Sequence, residues 1–348
     1  MKKISVNMLS IADKVEAQGV DTAYEELMNL LNKYGKKDLK VVKNKGLNYD
    51  ILHMHTVNPM SYIKQRLTKN ATLTYVHYLP NNLEGALRIP KLALKVYEWW
   101  TKRSYLKSDY LVVVNPTYIE ELSKMGFPKE KIFYIPNFVS SDNFYKMSKS
   151  EIQKYRKKYH YNEDDFIVVS VGQLHKGKGI FDFIKIAKEN PDIKFIWVGG
   201  FTFGKFMESY DKIKKVYDNP PENLTFTGIV KREEVNILCN ISDVFFMPSH
   251  YESFALVALE AAHTEKPLVL RDLDTYKDVY FDNFLKGKNN KEFIKEIRML
   301  KDDKKLYNEY VSKSKKIKSI YNDEVIYKKW LNLYTKISKK NQSYILVF

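Results

Sequence analysis

Short apolar runs alternate with longer segments of mixed polarity through the first part of the chain. The apolar runs have the length of strands, and the mixed segments repeat their apolar residues at helical spacing. Strands are predicted at residues 3–8, 39–44, 50–56, 72–79, 111–115 and 132–137. Helices are predicted at 20–33, 60–68 and 86–106, with one more between the last two strands. This alternation predicts a mostly parallel sheet with right-handed crossovers.

The same alternation resumes after a polar, lysine-rich stretch that runs from Asn143 to about Asp165. We interpret that stretch as the interdomain connection and the opening helix of a second domain. Strands are predicted near 166–173, 193–199, 224–228, 244–248 and 267–271. Helices are predicted at about 179–189, 204–217, 231–240, 254–264, 290–301, 304–319 and 323–338. The pattern therefore predicts an α/β protein of two doubly wound, Rossmann-like domains that face a cleft.

The length of the chain also favours two domains, because 348 residues exceed the size at which one core is usual. We place a first domain at 1–145, a second at 146–322, and a final helix and tail at 323–348. No apolar run approaches the roughly 20 residues that span a bilayer, and the start of the chain is interpreted as a strand instead of a signal peptide. We expect a cytoplasmic protein.

A single cysteine and a strong positive charge narrow the choice of environment and partner. Cys239 excludes an internal disulfide and a cysteine-based metal cluster, fits a reducing compartment, and lies among apolar residues that predict packing. The net charge of +16 indicates a polyanionic partner or surface. Residues 60–107 hold nine Lys or Arg but only two Glu.

The segment from Glu84 to Lys107 combines basic residues with aliphatic residues and a tryptophan pair. That composition suits a helix lying in an anionic membrane interface. The alternative is an ordinary amphipathic helix with a solvated basic face. The candidate membrane-binding residues are Arg88, Lys91, Lys95, Trp99, Trp100, Lys102 and Arg103.

Two glutamates bracket a predicted strand-to-helix corner in the second half. Glu252 follows the strand 244–247, and Glu260 lies within the predicted helix among apolar neighbours, where a carboxylate needs a partner. The amides near Phe254 and Ala255 would face outward at the start of that helix. Two carboxylates suit the hydroxyls of a sugar or a ribose. The alternative is that Glu252 caps the helix and Glu260 is solvated.

A second corner follows the first strand of the second domain. Gly177 and Gly179 permit a tight turn, and Lys176 and Lys178 place positive charge at the start of a helix. Such a turn suits phosphate, although it lacks the spacing of a P-loop, and a Lys-Gly turn taken alone is more often only a turn. Together the two corners indicate a nucleotide sugar. Gly19, after the first strand, either lets backbone approach a phosphate or relaxes a turn.

Several other residues have a chemical and a structural interpretation. His55 and His77 lie near the carboxyl ends of predicted strands, but a lone histidine is more often structural than catalytic. No His, Asp or Glu cluster has metal-ligand spacing. Asp272 and Asp274 imitate a metal-binding D-x-D motif, and we interpret them as a surface turn.

The ordered set of motifs resembles the retaining glycosyltransferases of family 4, which have the GT-B fold. The matching segments are 172–179, Thr227-Gly228, 243–249 and Glu252 to Glu260 in the second half, and 49–55, Val76-His77 and 135–137 in the first. The resemblance implies two Rossmann-like domains, with a final helix that crosses back to the first of them.

The resemblance also implies roles for individual residues. Lys178, and Gly19 through its backbone, would bind the donor diphosphate, while Glu260 would hold the ribose. Glu252 and the amides near Phe254 and Ala255 would hold the sugar, and His77 would lie near the reacting centre. The catalytic candidates are His77, Glu252 and Lys178. The donor-binding candidates are Gly19, Gly172, Gln173, Lys178, Gly228, Glu252, Ser253, Phe254, Ala255 and Glu260.

The sequence departs from the family pattern at three positions: Gln173 replaces an arginine, and Phe138 and Ala255 stand where glycine is common. The resemblance further implies a UDP-sugar donor, retention of configuration, and no metal or other cofactor. Lys178 and helix dipoles would then stabilise the departing UDP in place of a cation.

Within the family, the short first loop, the early His-x-His strand and Arg271-Asp272 are similar to bacterial galactosyltransferases that extend glucosyl-diacylglycerol. We therefore expect UDP-galactose as donor and monoglucosyl diacylglycerol as acceptor, at the inner face of the cell membrane. One alternative is transfer to a polyprenyl-linked or cell-surface sugar. A nucleic-acid-binding protein would explain the charge, but it leaves Glu252 and Glu260 unexplained and shows no such motif.

Overall fold

The computed structural model describes residues 3–11, 19–80, 91–202, 204 and 209–345. These residues form two compact units. The first unit contains residues 3–80, 91–138 and 321–345, and the second contains 139–320. The second unit therefore lies, along the chain, between two parts of the first.

The first unit is built on a six-stranded parallel sheet with the strand order β2-β1-β3-β4-β5-β6. Every residue of β3 and β4 is buried, as expected for the central strands of a sheet covered on both faces. The strands are β1 (Ile4–Leu9), β2 (Leu39–Lys43), β3 (Ile51–Met54), β4 (Ala71–Val76), β5 (Tyr110–Val113) and β6 (Ile132–Tyr134). The helices between them are α1 (Gly19–Tyr34), α2 (Pro59–Leu67), α3 (Lys91–Lys107) and α4 (Thr117–Lys124).

The second unit has a parallel sheet of the same size, with the order β12-β11-β10-β7-β8-β9. Its strands are β7 (Ile167–Val171), β8 (Lys194–Val198), β9 (Leu224–Phe226), β10 (Val244–Met247), β11 (Leu268–Arg271) and β12 (Leu285–Gly287). Its helices are α5 (Lys149–Lys158), α6 (Ile180–Glu189), α7 (Tyr210–Asp218), α8 (Arg232–Ile241), α9 (Leu256–His263), α10 (Lys277–Tyr280), α11 (Asn290–Asp302) and α12 (Lys304–Ile320). The predicted α/β class with two Rossmann-like domains is confirmed.

The last helix, α13 (Asp323–Ile345), belongs to the first unit and contacts α1, β1, β3 and β4. It buries Ile326, Trp330 and Tyr334 there. The expectation that the C-terminal helix returns to the first domain is thus confirmed. Asp323 and Glu324 in its first turn favour helix formation through the helix dipole.

The structure differs from the predicted elements in a few places. β12 and the short helix α10 were not predicted, and the helix expected from residue 254 begins at Leu256. Residues 86–90 of the predicted basic helix, and with them Arg88, lie outside the described residues. Among the residues that are described, no helix combines the length and apolar character needed to cross a bilayer.

Candidate active site

Lys178 lies on a tight turn that joins β7 to α6. The turn is a short 3₁₀ segment, Lys176–Lys178, and His175 accepts the Gly177 amide hydrogen through Nδ1 at 3.1 Å. Gly179 has φ of 74°, and a Cβ there would lie 2.3 Å from the Pro248 carbonyl oxygen. Only glycine fits both that conformation and that contact. The predicted phosphate-type turn is therefore packed directly against the end of β10.

A second contact joins the turn to the loop that carries Glu252. The His250 amide donates to the Gly177 carbonyl at 2.8 Å. A Cβ on Gly177 would lie 2.2 Å from the Tyr251 hydroxyl oxygen, so the Tyr251 side chain occupies the space beside this glycine. The two corners that were predicted separately thus form one continuous surface.

Lys178 and Glu252, two of the three catalytic candidates, form an ion pair. The Lys178 Nζ and Glu252 Oε1 atoms are 2.5 Å apart, and the two side chains are 27% and 9% exposed. Burial, followed by the positive charge of Lys178, lowers the pKa of nearby His175 to about 4, so this imidazole is neutral at pH 7. An ammonium suits a diphosphate, and a carboxylate suits the hydroxyls of a sugar. The ion pair therefore brings together, at one point, a group suited to each part of a sugar diphosphate.

The loop after Glu252 is held by its backbone. Ala255 adopts a left-handed conformation, with φ of 58° and ψ of 58°, which explains why the helix begins at Leu256. The Tyr280 hydroxyl lies 3.0 Å from the Phe254 carbonyl and 2.7 Å from that of Ala255. Phe254 and Ala255 are buried, while Ser253 is half-buried. α10 therefore fixes the loop whose amides were predicted to face the sugar.

Glu260 is buried and its carboxylate is paired, as its apolar neighbours required. It is 5% exposed, and Arg232 Nη2 lies 3.0 Å from its Oε1. The Arg232 guanidinium also lies over the ring of Phe144, 5.1 Å from its centroid. Sequence reasoning missed Arg232, although its place at the start of α8, soon after Thr227-Gly228, was an available signal. The alternative that Glu260 is a solvated helix residue is wrong.

Glycines bring the ends of β7, β8 and β9 close together. Gly199 has φ of 130°, and a Cβ there would lie 2.1 Å from the Gly172 carbonyl oxygen. The Gly199 amide donates to the Gly228 carbonyl at 3.0 Å, and Gly228 has φ of 72°. Trp197 Nε1 donates to the Gly172 carbonyl at 2.9 Å. Gln173 is half-buried beside Gly172. These candidates therefore meet at one edge of the sheet, where parallel α/β domains bind ligands.

Arg271 holds the end of β10 in place. Its Nε donates to the Pro248 carbonyl at 2.9 Å, and its Nη2 lies 2.6 Å from Asp182 Oδ2. Arg271 thereby ties the carbonyl next to Gly179 to the first turn of α6. The neighbouring Asp272 and Asp274 pair with Lys288 at 3.7 Å and Lys277 at 3.1 Å. Within the described residues, no group of three His, Cys, Asp or Glu side chains could hold a metal ion.

His77, in the first unit, lies in a buried cluster of aromatic and histidine rings. Its ring centroid is 4.4 Å from that of His55 and 4.3 Å from that of Tyr75. His53, the first histidine of the His-x-His strand, joins the cluster, with its Nδ1 2.8 Å from the Tyr334 hydroxyl of α13. Burial first, and then the other histidines, lower the pKa of His77 well below its usual value. His77 is therefore a neutral imidazole at pH 7.

Gly19 is the first residue of α1, where the amide hydrogens of the first helical turn have no intrahelical acceptor. A Cβ at Gly19 would meet no atom within 4 Å. The next carbonyl, of Val20, lies 3.2 Å from His55 Nε2. Gly19 and His77 both belong to the first unit, and the other catalytic and donor-binding candidates belong to the second.

The predicted membrane-facing residues divide into outward and inward groups. Trp99 is 62% exposed, with the Arg103 guanidinium 5.4 Å from its ring centroid. Trp100 is half-buried and packs edge-on against Tyr62, with 6.4 Å between ring centroids. Lys95, Lys102 and Arg103 are exposed. The two tryptophans therefore do not share a face, and Trp99 is the one that points outward.

The chain matches two known families and several curated proteins. Residues 28–143 match the family described as Glycosyltransferase Family 4, and residues 151–317 match Glycosyl transferases group 1. An alpha-galactosylglucosyldiacylglycerol synthase from Streptococcus pneumoniae is 38% identical over 96% of this chain and 90% of its own length. A processive diacylglycerol alpha-glucosyltransferase from Acholeplasma laidlawii is 26% identical over 73% of this chain and 76% of its own.

Solved structures of glycosyltransferases share the fold. The Anabaena protein HepE, in complex with UDP and glucose, has a TM-score of 0.75 at 15% identity, covering 95% of this chain and 99% of that one. A sucrose-phosphate synthase from Thermosynechococcus elongatus has a TM-score of 0.79 at 15% identity, covering 96% and 99%. With two family matches, a relative of 38% identity and the GT-B fold in agreement, the chain belongs to the group 1 and Family 4 glycosyltransferases.

Proposed function

We propose that this glycosyltransferase moves galactose from UDP-galactose to monoglucosyl diacylglycerol, with retention of configuration and without a metal ion. The observation that carries the proposal is the Lys178–Glu252 ion pair at the glycine-rich corner of the second unit. The similarity to a synthase of galactosylglucosyldiacylglycerol supports the choice of sugar and acceptor.

The second unit is proposed to bind the donor. Lys178 at the amino end of α6 supplies a positive charge for the diphosphate, and that charge stabilises the departing UDP. Glu260, held by Arg232 at 3.0 Å, accepts the ribose hydroxyls. The Glu252 carboxylate accepts hydrogen bonds from the hexose, and the backbone amides of the loop fixed by Tyr280 donate hydrogen bonds to it. Binding of the diphosphate competes with Glu252 for the Lys178 ammonium, which frees the carboxylate for the sugar.

The first unit is proposed to bind the acceptor. It contains a pocket of about 440 Å³ beside the carboxyl end of β1. Leu9, Ile11 and Met60 line it with apolar surface, and Asn44 and Asn58 line it with amides. A sugar head joined to an acylglycerol has the same mixture of polar and apolar parts. His77 is a neutral imidazole, and we propose that it contacts the reacting sugar.

The protein is proposed to work at the inner face of the cell membrane, docked through α3. Trp99 and the exposed Lys95, Lys102 and Arg103 suit an anionic interface, where each basic residue contributes about 1 kcal/mol. This peripheral attachment places the enzyme beside a lipid acceptor. The buried, single Cys239 fits a reducing compartment.

Transfer assays with a panel of UDP-hexoses test the proposal. UDP-galactose with monoglucosyl diacylglycerol in detergent should give a diglycosyl lipid, and NMR should show an α-linkage. Activity should persist in EDTA. Failure of every UDP-hexose on this acceptor, combined with transfer to a polyprenyl-linked sugar, would favour the alternative acceptor. Loss of activity in EDTA that Mn²⁺ restores would overturn the metal-independent mechanism.

A further inference from the structure

Helix α2 buries polar side chains. Ser61 and Gln65 are each 3% exposed. The Gln65 amide nitrogen donates to the Ser104 carbonyl at 3.1 Å and to the Ser108 hydroxyl at 2.9 Å, so hydrogen bonds hold α2 against α3. Ser61 belongs to the capping box of the helix: its amide donates to Asn58 Oδ1 at 3.0 Å, and its hydroxyl oxygen accepts from the Asn58 amide at 2.9 Å.

The outward face of α2 is apolar. Met60, Ile63 and Leu67 are 59%, 49% and 64% exposed, and their spacing of three and four places them on one side of the helix. A helix on a water-facing surface normally has the opposite arrangement, with its apolar stripe against the core. The inversion suits a helix whose outer surroundings are apolar.

Helix α3 repeats this inversion beside α2. Thr101 and Ser104 of α3 are buried, as are Tyr105 and, directly after the helix, Ser108. The exposed side carries a stripe at alternating spacings of four and three, in which Leu92, Val96, Trp99 and Leu106 are apolar and Arg103 is basic. The edge-on contact of Tyr62 with Trp100 joins the two helices. Two apolar stripes therefore lie on neighbouring helices of one unit.

The charges on the same two helices select the partner. α2 has Lys64 and Arg66 and no acidic residue, and α3 has several basic residues and one glutamate, Glu98. The guanidiniums of Arg66 and Arg103 lie over the aromatic rings of Tyr62 and Trp99. An apolar surface edged by arginine and lysine complements the acyl chains and anionic head groups of one leaflet.

We infer that α2 is a second membrane-docking helix, which inserts Met60, Ile63 and Leu67 beside α3 into the interface of an anionic bilayer. The inference rests on the proposed function in one respect, since a glycolipid acceptor resides in such a bilayer. Met60 also lines the pocket proposed for the acceptor, so the docked helix brings that pocket to the lipid surface.

Vesicle partitioning of an Ile63→Ser/Leu67→Ser double variant tests the inference. Neither residue lines the pocket. With vesicles of phosphatidylcholine and phosphatidylglycerol, the double variant should partition at least about tenfold more weakly than the parent chain. A control double variant, Met299→Ser/Val325→Ser, removes exposed apolar residues elsewhere and should partition like the parent. Equal partitioning of the parent and the α2 variant would overturn the inference.

A fluorescence measurement locates the contact without relying on that variant. Cys239 is buried, so a thiol-reactive, polarity-sensitive dye would label an introduced Ile63→Cys selectively. Its emission should shift to the blue when vesicles are added, whereas a dye on Ser312→Cys, on exposed α12 surface, should not respond. No shift at position 63, or self-association without vesicles that the double variant abolishes, would overturn a bilayer partner.

The two proposals fail separately in these experiments. If the α2 variant loses vesicle binding but UDP-galactose is not transferred in detergent, the docking helix stands and the proposed function fails. If transfer occurs in detergent and vesicle binding does not depend on Ile63 and Leu67, the proposed function stands and the docking helix fails.

Discussion

Lys178 and Lys176 stand two positions apart on the same turn, but only Lys178 is paired with Glu252. Lys178→Ala should lower kcat/KM for UDP-galactose by about 10²- to 10³-fold, because it removes the charge proposed to face the departing diphosphate. The exposed Lys176→Ala variant is the matched control and should change kcat/KM by less than about threefold. Equal losses of kcat/KM in the two variants would contradict a specific role for Lys178 and would indicate a general effect of positive charge.

Ala255 carries a methyl group in a left-handed conformation that glycine adopts without strain. Ala255→Gly should therefore raise the free energy of unfolding, by up to about 1 kcal/mol. Ala261→Gly, in the interior of α9, should instead lower it by about 1 kcal/mol. Urea denaturation of both variants measures the difference. A loss of stability in Ala255→Gly would show that the methyl contact outweighs the strain.

The sequence predicted the charged residues of the candidate site better than the residues that position them. Lys178 stands out because it lies between two glycines after a predicted strand, and Glu252 because it lies between a predicted strand and a predicted helix. Arg232 and Tyr280 do not, since each reaches the site only when a separate crossover unit folds back. When a side chain contacts the site from a distant part of the chain, the sequence around it contains no motif that would predict the contact.

Helix α13 depends on one large buried ring. Trp330 is 1% exposed and lies 5.1 Å, between ring centroids, from both His53 and Tyr75. Trp330→Ala should lower the free energy of unfolding by about 3–5 kcal/mol, because it leaves a cavity in the first unit. Trp99→Ala, on exposed surface, should lower it by less than about 0.5 kcal/mol. Chemical denaturation monitored by circular dichroism checks both values.

Long, regular elements were predictable, and two short ones, β12 and α10, were not. Apolar spacing and composition are enough to predict the strands β1, β4 and β7 and the last helices of the chain. β12 has only three residues and pairs with β11 at the edge of its sheet, so its conformation comes from its neighbour and not from its own sequence. The start of α9 was missed because the left-handed Ala255 is set by the loop that Tyr280 holds.

Buried neutral histidines make the free energy of unfolding of the protein depend on pH. Burial lowers the pKa of His55 to about 3 and those of His175 and His263 to about 4, whereas an unfolded histidine has its pKa near 6.5. The unfolded chain therefore binds more protons than the folded chain below pH 6.5. Stability should fall as pH drops from 6.5 towards 5, with a limiting slope of about 1.4 kcal/mol per pH unit for each such histidine.

Urea unfolding at several pH values between 5 and 7 measures this slope. His263→Gln removes one of the titrating groups and keeps a side-chain donor near the Leu259 carbonyl. Its slope should be shallower than that of the parent chain. A stability that is flat or rises as pH falls through this range would contradict the expected proton linkage.

The first unit contains residues from both sides of the second along the chain. This arrangement affects the order in which the two units can fold during synthesis. A nascent chain on the ribosome can fold residues 139–320 while the earlier unit still lacks its final helix. Until α13 emerges, the side of the sheet that Trp330 and Tyr334 cover stays uncovered, together with the His53 imidazole. The first unit, proposed to bind the acceptor, is therefore completed only after the whole of the second unit, proposed to bind the donor, has been synthesised.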